Sequence, residues 1–228
     1  MREGGEVKAA ASSGIAGREG CAHGRGMAAG MWIAAAAALM GAAPAVPTVA
    51  AGEIVLPRAD ARFVLHETTA RPGGQLSEYR RSDEPAEKWT RAVALTRQLF
   101  YPGTSEKIRA DAPALASLVA AISGSAIQSS CSGATVKVTR ADPSDQFAAA
   151  TLRVRCPREA ITHDPMLTYV RVIVAQEAIH SVTAMVRGEA TRADVEWADR
   201  VISDLTLCNA GDVAGRCAAR SRVIGAPL

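Results

Sequence analysis

The chain has 228 residues, of which 48% are hydrophobic and 21% charged, with a formal net charge of +3; such a composition folds, and it excludes disorder as the default state. Aromatics are only 4%, so the core has to be built from Val, Leu, Ile and Ala, which bury less surface per residue. A charge so near neutral gives no electrostatic case for nucleic acid.

Residues 1–30 show no apolar periodicity, and residues 31–43 (MWIAAAAALMGAA) form a short uncharged apolar run. About thirteen residues are too few to cross ~30 Å of hydrocarbon as a helix, which takes about twenty. The run fits the hydrophobic region of a signal peptide, with a basic flank at Arg18 and Arg25 and small residues, Val49 and Ala51, favouring cleavage before Gly52, with cleavage after Ala45 as the second choice. A buried alanine helix is the competing reading. The expected organisation is a signal peptide and N-terminal extension over 1–51, then one α+β domain over 52–228 with a flexible tail after 217. Processing leaves no stable transmembrane segment, a net charge of +2 and four cysteines: Cys131, Cys156, Cys208 and Cys217. An even number of cysteines in an exported chain reads as disulfides, and places the protein in the periplasm or outside the cell.

RFVLHET (62–68) and LSEYRR (76–81) flank ARPGGQ, which carries Pro and Gly turn signals, and together predict a hairpin. The next segment, 82–100, is ambiguous. A helix would line up Trp89, Ala92, Val93, Thr96, Leu99 and Phe100, whereas a strand would alternate Trp89, Arg91, Val93, Leu95, Arg97 and Leu99 against the residues between them. A helix follows, with Asp111 as cap, Pro113 in the first turn, an apolar stripe of Leu115, Leu118, Val119 and Ile122, and an end at Gly124.

Three or four strands come next, over 134–139, 149–156, 167–175 and 178–187, with β-branched content and alternation that suit a sheet with one buried face. In the last element Thr191 and Asp194 form a capping box, Val195, Ala198, Ile202 and Leu205 share a face, and Glu196 is spaced to pair with Arg200. This helix should lie across the sheet. The expected fold class is α+β: a mostly antiparallel sheet of about six or seven strands with two helices packed on it, stapled by disulfides.

Strands 134–139 and 149–156 turn about ADPSDQ, whose midpoint coincides with that of Cys131 and Cys156. An antiparallel pair about that turn sets the two cysteines opposite one another, at a separation suited to a disulfide. Cys208 and Cys217 then pair together, and Gly211 and Gly215 let the chain between them turn back. On the chain-entropy model the two bridges stabilise by about 3.5 and about 2.7 kcal/mol.

No C-x-x-C is present, His66, His163 and His180 fall in separate elements, and NAGDVAG follows a helix without a phosphate-loop pattern. The sequence therefore nominates no metal and no cofactor. Ser129, Ser130 or Ser181 with a histidine and Asp164 would supply the parts of a nucleophilic site, but no G-x-S-x-G elbow marks one serine. His163 and Asp164 sit in a Pro-flanked loop, and His180 reads as a surface or edge residue of a strand. Trp89 and Trp197 are the candidate lining of a ligand groove, with core packing as the competing reading.

The succession EKWT (87–90), CS at Cys131, RCP (155–157) and a Trp-containing last helix running into LC and a final cysteine resembles a family of small, uncharacterised exported bacterial proteins. The resemblance spans about residues 62–217 and implies a strand over 91–100. More distantly, a strand-rich body with a terminal helix is similar to the PsbP-like and DcrB-like α/β sandwiches. Three function classes follow as expectations: a periplasmic module binding a small ligand or another envelope component, a small hydrolase with a Ser/His site, and a purely structural envelope protein.

Overall fold

Pro72 and Gly73, the latter at φ +68°, turn the first hairpin, and a side chain on the neighbouring Gly74 would meet the Arg97 carbonyl at 2.6 Å. Proline presets the first central turn position and glycine supplies the positive φ at the second. The computed structural model describes residues 54–57, 62–101, 106, 110–140, 148–209, 215 and 217. The expected signal peptide over 1–51, the ADPSDQ turn and the tail after 217 lie outside the described residues.

The elements are β1 (Ile54–Pro57), β2 (Phe63–Arg71), β3 (Gly74–Arg81), β4 (Arg91–Leu99), α1 (Ala112–Ser129), β5 (Thr135–Arg140), β6 (Ala148–Cys156), β7 (Met166–Val174), β8 (Ala178–Arg187), α2 (Arg192–Ser203) and β9 (Leu205–Cys208). Seven strands form one sheet in the order β2-β3-β4-β8-β7-β6-β5, antiparallel throughout, and β1 pairs with β9 in a separate ribbon. The α+β class, the two helices and the two disulfides are as the sequence predicts.

The helices take opposite faces of the sheet. Val93, Leu95, Tyr169, Ile173, Val182 and Ala184 point toward α2 and the ribbon, while Leu152, Val154, Val170, Val172 and Ile179 point toward α1. Residues 91–99 are a strand, and their ambiguity has a physical cause: β4 is central and buried on both faces at Ala92, Val93, Ala94 and Leu95, so its apolar run is continuous rather than alternating.

Helix α1 differs from expectation in three ways. It runs on through Gly124 to Ser129, the Asp111 side chain makes no cap bond, and the face that packs on the sheet is Ala116, Ala120, Gly124 and Ile127. The predicted stripe is displaced: Leu115 and Val119 pack only at its margin and Leu118 is 55% exposed. Small residues win the inner face because the approach is close. A Cβ on Gly124 would lie 3.0 Å from Val136 Cγ1 and 3.2 Å from a Leu152 methyl. By length and composition alone α1 is apolar enough to cross a membrane, although here it lies on β5, β6 and β7.

Helix α2 opens on the expected capping box, with the Asp194 carboxylate accepting from Thr191 N at 2.9 Å. Its buried residues are Trp197, Ala198, Val201 and Ile202. The anticipated Glu196 and Arg200 pair is replaced by one between Glu196 and Arg192, 2.8 Å apart one turn earlier. Leu205 belongs not to the helix but to β9, where it pairs with Pro57.

Both disulfides join the expected partners, with Cα separations of 5.7 Å for Cys131 and Cys156 and 5.8 Å for Cys208 and Cys217. The route to the first is different from the register argument. Thr135 pairs with Arg155, so Cys131 is not across the ladder from Cys156; it sits at the exit of α1, bridged to Glu159, and reaches Cys156 after the Ser132–Gly133 turn. Gly133 takes φ +77° there.

Candidate binding surface

The groove expected between the tryptophans does not form as one site, because the two rings stand on opposite faces of the sheet. Trp197 is buried, stacked on Phe63 at 5.6 Å with Arg91 over its other side at 5.2 Å. Trp89 is partly exposed just before β4, with the guanidinium groups of Arg80 and Arg187 at 5.6 and 5.9 Å from its ring. The alternation of β3, β4 and β8 puts Arg80 and Arg187 on the face away from Arg91.

The hydroxyl and imidazole candidates are dispersed as well. Ser129 and Ser130 donate back to carbonyls of the last turn of α1. His180 and Ser181 are successive on β8 and face opposite ways, and His180 is buried within a central strand rather than at an edge. In the loop before β7, Asp164 is held by Arg187 at 2.7 Å, and His163 takes φ +60°. The organising residue of that loop is one the sequence did not single out. Glu159 is buried and accepts from the backbone N–H of Ile161 and Thr162 at 3.0 and 2.7 Å.

What the fold does bring together is positive charge. Strands β5, β6 and β7 contain five Lys and Arg and no Asp or Glu. Register places four of those cations on one face: Lys137 is directly opposite Arg153, Arg155 follows two residues along β6, and Arg171 is diagonal to Arg153 on β7. This face is the one that carries α2, but α2 packs on β7 and β8 and leaves the β5 and β6 side chains outward, so Lys137 and Arg155 are exposed. Arg171 reaches back to the carbonyl of Ile202 at the end of α2.

Like charges set directly opposite on a sheet repel. Beneath them, the Arg153 guanidinium lies 4.8 Å from the centre of the Tyr169 ring, a cation–π contact that offsets part of that cost. Tyr169 is 2% exposed. Burial pushes its phenol above the ordinary range, and the Asp199 carboxylate on α2 adds to this, while Arg153 and Arg155 pull the other way. The hydroxyl therefore keeps its proton at neutral pH and is available as a donor. Chemically the surface can attract and hydrogen-bond an anion. Alternation of cations with β-branched residues in VKVTR and LRVRC was the signal in the sequence, and averaging charge over the whole chain hid it.

No protein-family profile matches the chain, and no curated protein is similar to it. Among solved structures, the chain is similar to LpqN, described as involved in cell envelope biogenesis of Mycobacterium tuberculosis. The identity is 13% and the TM-score 0.40, over 72% of this chain and 89% of that one.

Proposed function

We propose that the protein is a binding module that works outside the cytoplasm, in or near the cell envelope, and holds an acidic partner on the exposed β5 and β6 face. The observation that carries this reading is the grouping of Lys137, Arg153, Arg155 and Arg171 on one face of strands that contain no acid. The compartment is supported by the two disulfides, since such bridges persist where the surroundings are oxidising, and by the apolar run at 31–43. Nucleic acid is scarce in that compartment, so an envelope component bearing carboxylates or phosphates is the fitting partner.

Retention on an immobilised polyanion, measured against salt, tests the reading. The parent protein should elute late, and Lys137→Glu with Arg155→Glu should elute at markedly lower salt, because both head groups are exposed and the substitutions reverse the local field. Elution of parent and variant together would overturn it. For export, the mature mass should correspond to cleavage before Gly52 and to the loss of four hydrogens; a mass retaining residues 1–51 would rule it out.

A further inference from the structure

Two hydrogen-bond donors are left without partners in the middle of this surface. The hydroxyl of Tyr169 and the Nε of Arg153 are both buried and unpaired, and a buried donor left unsatisfied is unfavourable. They belong to residues directly opposite one another on β6 and β7, with the guanidinium over the ring. Resting on the binding reading above, we propose that Tyr169 Oη and Arg153 Nε form the floor of an oxyanion seat, with Lys137 and Arg155 as its rim, that takes phosphate groups of an extended acidic polymer.

The chemistry of the seat selects the class of ligand. Guanidinium and ammonium groups have only donors to offer, and a protonated phenol adds another, so the complement is a group made of acceptor oxygens. A phosphate inside a polymer keeps two non-bridging oxygens, one to face the floor and one to face the rim, and its neighbours along the chain extend the contact to the other cations. The rim is otherwise hydroxyl-bearing, from Thr135, Thr139 and Thr151 on the same face. Among the described residues it has no exposed large apolar side chain to insert into a bilayer. The exposed large apolar residues of the described chain are elsewhere: Val138 points to the other face of β5, Leu118 is on α1, Val64 and Leu65 are on the far edge strand β2, and Ile161 is in a loop. A polymer lying on an open sheet fits this better than a membrane, which would require an apolar anchor beside the charges.

The test measures calorimetric binding of linear polyphosphate, inorganic phosphate and phosphatidylglycerol vesicles at one ionic strength. Polyphosphate should bind, with inorganic phosphate weaker. Tyr169→Phe and Arg153→Lys should each weaken polyphosphate about tenfold, the size expected for losing one hydrogen bond to a charged group. Tyr169→Phe should at the same time melt no lower than the parent, because it deletes an unpaired buried hydroxyl; loss of binding without loss of stability separates a seat from a structural role. If Tyr169→Phe binds like the parent while Lys137→Glu with Arg155→Glu does not bind, the seat is overturned and charge alone holds the partner. Binding to vesicles but not to polyphosphate would overturn the polymer assignment, and no binding to any of the three would overturn this inference, while the binding reading stands or falls separately on retention by the immobilised polyanion.

Discussion

Arg91 at the start of β4 and Asp194 in the first turn of α2 are joined by an ion pair of 2.6 Å across 103 residues of sequence. The same carboxylate closes the capping box on Thr191, so one acidic group both starts the helix and fixes it to the sheet. Burial alone would raise this carboxyl, but the hydrogen bonds from the Thr191 side chain and backbone and from Arg91 together hold it below the usual range.

Asp194→Ala should therefore cost about 1–3 kcal/mol at neutral pH. A carboxyl lowered in the fold contributes stability that is complete above its unfolded value of about 3.9 and disappears as the pH falls through the lower folded value. Melting temperatures of parent and variant should thus differ at pH 7 and converge in strong acid. A gap that stays constant across that range would show that the charge of Asp194 plays no part.

Trp197 and Trp89 should behave differently on truncation. Trp197→Ala removes a stacked, buried ring from the α2 core and should cost about 3–5 kcal/mol in denaturant unfolding. Trp89→Ala loses only a partly exposed ring between two guanidinium groups and should cost about 1–2 kcal/mol. Equal losses would contradict the packing described.

Gly124→Val should destabilise by about 1–3 kcal/mol through overpacking against Val136 and Leu152. Leu118→Lys, on the outer side of the same helix, should leave the unfolding midpoint within about 0.5 kcal/mol of the parent. The contrast identifies the small-residue face as the one that packs.

Replacing Cys131 and Cys156 by serine opens a loop of 25 residues, against 9 for Cys208 and Cys217. Chain entropy gives about 3.5 and about 2.6 kcal/mol respectively. The first double variant should show the lower melting temperature, and reductant should bring the parent down to below either variant.

Local patterns carried most of the fold. The strands β5 to β8, the Pro72–Gly73 hairpin and the Thr191 capping box each have a signature within a few residues, and they are found where those signatures stand. What escaped depended on distant partners. Strands β1 and β9 are four residues long, too short to alternate visibly, and become strands only through each other. The inner face of α1 follows from how near the sheet lies, so Ala and Gly displace the larger apolar residues that a period of 3.6 selects. The tryptophans were both visible, but their assignment to opposite faces is a property of strand order. The cationic face had the same character: Lys137 and Arg153 are neighbours only once β5 and β6 are in register.

The β1 and β9 ribbon sets how the domain answers a pull between its two ends. Ile54, the first residue of β1, is opposite Cys208, the last of β9, so tension from the two directions meets at one end of the ladder and loads its hydrogen bonds singly. The Cys208 bridge passes force arriving from Cys217 directly to that end, without paying out the intervening chain. Under tension the ribbon should peel like a zipper at low force, uncovering Val55 and Leu56 while the seven-stranded sheet stays whole. A domain tethered at both ends would then yield first at this seam, and regain its form when slack returned.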